Sequence, residues 1–166
     1  MSSDKVLIRT YYPGEASYIS YMHMKFYREY YRFKPVFEYY VMKGLSEFLL
    51  DSRGSNLWVA DVGGLIVGSI AIVKMPDAAQ LRWFLVDKEY QGRGIGKSLM
   101  STAMRFCEEQ GYSRVFLWTV SILEIARHLY EEFGFVPVEE NPNDEWTDET
   151  IIEERWELDT RSKNQA

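Results

Sequence analysis

The sequence predicts an α/β fold in which a mixed sheet carries helices on both of its faces. Segments with strand and helix patterns follow in the order strand, two helices, three strands, helix, strand, helix, two strands. Such an order buries a sheet between layers of helices. The chain has 166 residues, 46 % apolar and 27 % charged, which suits a globular domain with a substantial core. We expect one domain over residues 1–160 and a frayed tail over residues 161–166.

The first half of the chain supplies four strands and two helices. The predicted strands are Val6–Thr10, Asn56–Val62, Leu65–Val73 and Ala79–Val86. Pro13–Glu15 ends the first strand and opens a helix with apolar residues at helical spacing. Pro35 suits the first turn of a second helix, which runs to about Leu50. The pair Gly63-Gly64 is typical of a two-residue hairpin turn.

The second half supplies two helices and three strands. The loop Gln91–Gly96 leads into the third helix, and Gly111 ends it. Ser121 and Glu124 have the spacing of a capping box for a fourth helix, which runs through Phe133. The predicted strands are Arg114–Trp118, Phe135–Val138 and Ile151–Leu158, the last two separated by the polar loop Asn141–Asp148.

Composition argues against several classes of function. The single cysteine, Cys107, allows no internal disulfide, and with two histidines it is too little for a typical zinc site. We therefore expect no metal. A net charge of −6 argues against binding to nucleic-acid phosphates. No apolar run approaches the roughly 20 residues that span a bilayer, and the N-terminus lacks a signal-peptide core. We expect a cytoplasmic protein without nucleic-acid or membrane partners, and we leave a homodimer open.

The loop Gln91–Gly96 carries the clearest chemical signal. A dinucleotide fingerprint fails where Lys97 replaces its third glycine, and a P-loop fails where Gln91 replaces its first. The pattern [QR]-x-x-G-x-[GA] fits fully. Glycines let phosphate oxygens approach the backbone, and a helix N-terminus offers free N–H groups with a partial positive charge. The loop predicts a pyrophosphate site that needs no metal, with a plain glycine-rich turn as the alternative.

Two anchors resemble the GNAT family of N-acetyltransferases. One is Leu85–Gly96, which contains the loop, and the other is Ala126–Phe135, which is similar to the family signature A-x-x-L-Y-x-x-x-G-F. The resemblance runs from Val6 to Leu158 and implies the GNAT fold, a single domain with a splayed central sheet. More narrowly, the chain is similar to the acetyltransferase domain that is fused to MarR-type regulators. The similar stretches are Pro13–Glu15, His23, Phe26-Tyr27, Glu29-Tyr30 and Trp156–Asp159.

The resemblance implies transfer of an acetyl group from acetyl-CoA to a primary amine of a small molecule or peptide, by direct attack on the thioester. Backbone groups of Leu85 and Val86 would pair with the pantetheine arm. Tyr130 would protonate the departing thiolate. The implied pyrophosphate site consists of Gln91, Gly92, Arg93, Gly94, Ile95, Gly96, Lys97 and Ser98.

Two departures from the family pattern leave an alternative open. Leu123 stands where many members have an Asn that contacts CoA, and the strand Ala79–Val86 lacks the Glu that often serves as base. The alternative is a CoA-binding sensor or interaction module without catalysis. The acceptor-side candidates are His23, Tyr27, Glu38 and Trp83. The imidazole of His23, with an ordinary pKa of about 6.5, would suit a base at neutral pH.

An acidic segment closes the chain. Ten carboxylates lie between Glu139 and Asp159, and Arg155 alone opposes them within that range. In the resembled fold this segment borders the acceptor side of the cleft, which predicts a cationic acceptor. The alternative is a solvated hairpin that keeps the protein in solution.

Overall fold

The computed structural model describes residues 5–161, which form a seven-stranded sheet and four α-helices. The strands are β1 (Val6–Thr10), β2 (Asn56–Val62), β3 (Leu65–Lys74), β4 (Ala79–Val86), β5 (Arg114–Val120), β6 (Val136–Asn143) and β7 (Ile151–Asp159). The helices are α1 (Glu15–Tyr31), α2 (Pro35–Leu50), α3 (Ile95–Gln110) and α4 (Glu124–Glu132). The strand order is β1-β2-β3-β4-β5-β7-β6, and the β4–β5 pair is parallel while the other pairs are antiparallel. The predicted mixed α/β fold is confirmed.

Both faces of the sheet are covered, as the alternation of residues in β2 shows. Leu57 and Val59 pack with α1 and α2, whereas Trp58 and Ala60 pack with α3 on the opposite face. Successive strand residues point to opposite faces, so two apolar layers need two apolar sets of side chains. Cys107 belongs to the α3 layer, and burial raises the pKa of its thiol to about 12.

Several element ends differ from the prediction, and two of them, the start of α4 and the end of β6, have a visible structural cause. The Ser121 N–H donates to the Ile152 carbonyl at 2.9 Å and so stays with the sheet. Helix α4 therefore begins later, with Leu123 at the N-cap and no side-chain cap, and the predicted capping box is wrong. Strand β6 runs five residues beyond the predicted end at Val138. It contains two prolines, which an edge strand tolerates because one side needs no partner.

The sheet opens between β4 and β5. These neighbours pair only over Ala79–Leu81 and Val115–Leu117. Beyond this pairing β4 has a bulge against β3. Between the pairs Ala71↔Arg82 and Ser69↔Leu85, β4 runs three residues where β3 runs two. Trp83 takes a positive φ of 48° there, and its carbonyl accepts a hydrogen bond from Ser69 Oγ at 2.7 Å. A bulge bends its strand and increases the local twist, and here β4 turns away from β5 to leave a gap.

The predicted frayed tail lies outside the described residues except for Arg161, whose guanidinium pairs with Asp159 at 3.1 Å. Of the helices between residues 5 and 161, none has both the length and the apolar character that crossing a bilayer requires.

Candidate active site

A cavity of about 610 Å³ extends from the glycine loop into the gap beside β4. We call it the cofactor cavity. Eight of the ten predicted CoA-binding residues line it: Leu85, Val86, Gln91, Gly92, Gly94, Ile95, Gly96 and Lys97. Arg93 and Ser98 lie outside its lining. Arg93 is exposed, with its guanidinium 4.8 Å from the centre of the Tyr90 ring, and Ser98 is exposed on α3.

The start of α3 has the geometry of a phosphate site. Gly94 is the N-cap, with a positive φ of 79°, and the Ser98 N–H makes the first helical bond, to the Gly94 carbonyl at 3.1 Å. The N–H groups of residues 95–97 therefore have no acceptor within the helix. A Cβ added at Gly92 or Gly94 would meet no atom within 4 Å, so both glycines border open space. The site fits a pyrophosphate, and no cluster suited to a metal ion occurs in residues 5–161.

Gln91 ties the glycine loop to the end of β4. Its Nε2 donates to the Val86 carbonyl at 3.1 Å. This contact fixes the loop relative to the strand, and it occupies one of the backbone groups that the sequence assigned to the pantetheine arm. On the far side of the loop, Lys97 pairs with Glu132 at 3.3 Å, with both side chains partly exposed. Glu132 lines the cofactor cavity as well, so in this structure a carboxylate balances the Lys97 ammonium.

A second cavity, of about 410 Å³, lies between α1, α2, β4, β5 and β7. We call it the acceptor cavity. Three of the four acceptor-side candidates, His23, Tyr27 and Trp83, line it. Glu38 does not, because it is exposed on the outer side of α2 and contributes to neither cavity. Three of the four acceptor-side candidates are thus brought together, and the fourth is not.

His23 differs electrostatically from the residue that the sequence predicted. It is 4 % exposed, and burial lowers its pKa to about 4, so the ring is neutral at pH 7. Its Nδ1 lies 2.8 Å from the Ile19 carbonyl. A carbonyl only accepts, so the proton must sit on Nδ1 and Nε2 must be an acceptor. Nε2 is buried without a hydrogen-bond partner among residues 5–161.

Thr119 supplies a second unpaired polar atom in the same cavity. Its Oγ1 is buried, and the residue is 8 % exposed. Within residues 5–161, the His23 and Thr119 atoms are the two buried side-chain nitrogens or oxygens that lack a partner, and both residues line the acceptor cavity. Buried polar groups are normally satisfied. Two unpaired polar atoms in one cavity therefore indicate that a polar ligand or water binds there.

The two cavities meet at a shared wall. Tyr27, Phe84, Leu123 and Ala126 line both of them. Tyr130 stands in the acceptor cavity behind this wall, 5 % exposed, with its ring centre 6.1 Å from that of Phe84. Burial raises the pKa of its hydroxyl, so Tyr130 remains a proton donor at neutral pH.

The acidic segment is less negative in three dimensions than along the chain. Cations from elsewhere reach four of its carboxylates. The ion pairs are Lys34–Asp148, Arg127–Glu154, Arg114–Glu157 and Arg161–Asp159. Of the ten carboxylates, Glu153 alone lines the acceptor cavity. The predicted cationic acceptor therefore loses most of its electrostatic basis.

Sequence reasoning missed Arg82, Thr119 and Trp146, all of which line the acceptor cavity. For Arg82 a signal existed, because a charge inside the apolar strand Ala79–Val86 calls for an explanation. For Trp146 there was none, since its place in a polar loop gives no hint that it packs on Phe37 with ring centres 5.0 Å apart.

Comparison with known proteins gives a consistent picture. A family model described as the acetyltransferase (GNAT) family matches residues 18–135, which include both sequence anchors. N-acetyltransferase 8 of Rattus norvegicus is 36 % identical over 100 residues, which are 57 % of this chain and 45 % of that protein. The match therefore spans less than half of that relative.

Solved structures share the fold. A GNAT-family acetyltransferase from Staphylococcus aureus Mu50 superposes with a TM-score of 0.77 at 17 % identity, over 93 % of this chain and 99 % of that chain. The Salmonella typhimurium protein yncA, solved with acetyl-CoA, superposes with a TM-score of 0.74 at 12 % identity, over 93 % and 94 %. With the family model matching most of its length, this chain belongs to the GNAT family of acetyltransferases.

Proposed function

We propose that this protein transfers the acetyl group of acetyl-CoA to a primary amine of a small molecule or peptide. The observation that supports it is the shared wall of the two cavities, formed by Tyr27, Phe84, Leu123 and Ala126. One cavity begins at a helix start suited to pyrophosphate. The other holds unpaired polar atoms. A thioester that reaches the wall from the first cavity is open to an amine in the second.

The chain's own groups fit the binding of acetyl-CoA. The N–H groups at residues 95–97 and the positive end of α3 hold the pyrophosphate. Pairing with β5 stops at Leu81, so the gap-facing backbone of β4 beyond the bulge is available to the amides of the pantetheine arm, as in strand addition. A β4 N–H beside the bulge is suited to stabilise the oxyanion that forms when the amine attacks.

Two proton transfers accompany the reaction. The amine nitrogen bonds to the thioester carbon and loses a proton, while the C–S bond breaks and the thiolate gains a proton. Neutral His23 accepts the first proton at Nε2, directly or through a water that Thr119 also binds. Because burial disfavours the imidazolium, His23 then releases this proton from Nε2 to water in the cavity, which carries it to solvent. The Tyr130 hydroxyl gives the second proton to the thiolate.

Incubation with acetyl-CoA and a panel of primary amines tests this proposal. We expect release of CoA thiol in a one-to-one ratio with N-acetylated product, at a rate that a chelator leaves unchanged. If acetyl-CoA binds with micromolar affinity and no amine is acetylated, the CoA-binding sensor becomes the better description.

We also infer that the acetyltransferase domains fused to MarR-type regulators form the nearest branch of the family. Support comes from the stretch Pro13–Glu15, from His23 and its aromatic neighbours, and from Trp156–Asp159. This inference assigns no DNA-linked role to the chain.

Three further points remain predictions: a cytoplasmic location, a domain that spans residues 1–160, and a possible homodimer. Cell fractionation tests the first, limited proteolysis the second and analytical ultracentrifugation the third.

A further inference from the structure

Arg82 presents a guanidinium to the acceptor cavity. It lies in β4 directly before the bulge, beside Trp83. Helix α2 makes room for both side chains at Gly44, where an added Cβ would lie 3.0 Å from Trp83 Cζ2 and 3.6 Å from Arg82 Nη1. The residue is half-buried, and desolvation lowers its pKa. The guanidinium is therefore held against the helix backbone rather than extended into solvent.

Unlike the other enclosed arginines, Arg82 has no carboxylate partner within residues 5–161, and its guanidinium lies 5.8 Å from the centre of the Trp83 ring. Arg9 and Arg127 are also partly buried, and each pairs with a carboxylate. No ion pair within residues 5–161 includes Arg82. Glu47 of α2 acts on it only at longer range. A partly desolvated charge without a carboxylate partner is unfavourable, and an aromatic ring at 5.8 Å offsets this only in part. The position of Arg82 in a cavity indicates that a ligand supplies the counter-charge.

The charged and polar groups that line the acceptor cavity are unevenly distributed. Lys43 and Glu47 lie on the exposed rim of α2. On the opposite wall, half-buried Glu153 of β7 accepts a hydrogen bond from Asn143 Nδ2 at 3.2 Å. The unpaired His23 Nε2 is a further acceptor in the cavity. The β4 wall thus offers donors to an anion, while acceptors suited to an amine lie elsewhere in the lining.

We propose that the acceptor carries a carboxylate as well as its amine, and that Arg82 binds this carboxylate while the amine faces the shared wall. The acceptor is accordingly of the amino-acid class. A planar guanidinium binds a carboxylate through two parallel hydrogen bonds, which orients the ligand as well as holding it. The inference rests on the proposed acetyl transfer and names the substrate class for the same site.

Matched acceptors test the inference. The common amino acids are compared with their own carboxamides, with the amines that lack the carboxyl group, and with linear diamines. We expect at least one amino acid to be acetylated with a kcat/KM about tenfold or more above that of its carboxamide. Equal values for all such pairs, or a preference for diamines, would overturn the inference and leave acetyl transfer intact.

Variants of Arg82 link the preference to the residue. In Arg82→Gln the ratio of kcat/KM for the amino acid to kcat/KM for its carboxamide should fall to about one. Arg82→Lys keeps the positive charge but loses the two parallel donors of the guanidinium, so it should retain part of the preference for the amino acid. Arg105→Gln, at an exposed site on α3 outside both cavities, is the matched control and should keep all of it.

Binding measurements separate the possible failures. Calorimetry with acetyl-CoA shows whether each variant is folded and competent, and Arg82→Gln should bind it as the wild type does. A wild type that binds acetyl-CoA but acetylates no amine would overturn the proposed function, and this inference with it. Persistence of the carboxylate preference in Arg82→Gln would overturn the role of Arg82 alone.

Discussion

Burial determines the protonation of two side chains that line the acceptor cavity, His23 and Tyr130. Their electrostatics depend on burial, which a single sequence does not reveal. Desolvation moves His23 below its ordinary pKa and Tyr130 above its own, so that both stay neutral at pH 7. In the proposed reaction, neutral His23 is the proton acceptor and neutral Tyr130 is the proton donor.

Removal of the Tyr130 hydroxyl should slow the chemical step without weakening the binding of acetyl-CoA. In Tyr130→Phe the ring keeps its contacts with Phe84 and Trp156. A general acid contributes about 10²–10⁴-fold, and we expect a loss near the lower bound, because a thiolate leaves readily. Single-turnover kinetics and calorimetry measure the two effects. Tyr39 is exposed and lies outside both cavities, so the control variant Tyr39→Phe should keep the wild-type rate and affinity. An unchanged single-turnover rate in Tyr130→Phe would remove it from the mechanism.

Burial of neutral His23 should make stability depend on pH. The unfolded chain takes up the proton near pH 6.5, whereas the folded chain does so only near pH 4. Stability is therefore full above 6.5 and falls as the pH drops towards 4, by a total of about 3 kcal/mol from this residue. Urea unfolding of wild type and His23→Gln between pH 7 and pH 4.5 should show a shallower decline in the variant. His128→Gln, exposed on α4, should match the wild type; parallel curves for all three proteins would contradict the prediction.

Elements were predictable where local chemistry decides them, and less so where tertiary contacts do. Gly63-Gly64 and Gly111 adopt the positive φ that their turn and helix end require. The bulge in β4 rests on Trp83 in a conformation that bulky residues avoid. Its only local trace is Ser69, a polar residue in an apolar strand, whose hydroxyl binds the carbonyl that the bulge exposes. The gap that forms the site was thus expected from the family resemblance, not from the residues of β4.

The start of α3 allows binding and stability to be separated. Gly96 is helical, and a Cβ there would lie 3.3 Å from Leu129 Cδ2 and 3.5 Å from Phe84 Cζ, on the wall of the cofactor cavity. Gly96→Ala should lower acetyl-CoA affinity by about tenfold while the melting temperature stays close to that of the wild type. Gly111→Ala, at the other end of α3 with φ +77°, should lose about 1 kcal/mol of stability and keep its affinity. Unchanged affinity in Gly96→Ala would place the ligand elsewhere.

At the scale of the whole molecule, the sheet consists of two halves that are joined by a short seam. Strands β1–β4 form one half and β5–β7 the other, and only Ala79–Leu81 and Val115–Leu117 pair across. The halves are continuous at the seam, and beyond Leu81 they diverge around both cavities. The order of elements predicted a mixed sheet, and the Gly63-Gly64 turn predicted that β2 and β3 would be neighbours. How far two neighbours stay paired is set by the bulge and the layers packed on it, which composition and periodicity do not encode.

A ligand that lies in the gap should stabilise the whole fold and should protect most strongly the backbone amides that it contacts. Acetyl-CoA at about 100 times its dissociation constant adds about 2.7 kcal/mol to the stability of the folded state. Short-time hydrogen exchange should localise the direct contacts: amides of β4 beyond Leu81 and of residues 95–97 should become protected, because they have no strand or helix acceptor on that side. The β1–β2 pair, fully bonded in register from Val6↔Val62 to Thr10↔Trp58, should change little. Equal protection of β1–β2 and β4, or none at residues 95–97, would contradict a ligand that bridges the two halves at the glycine loop.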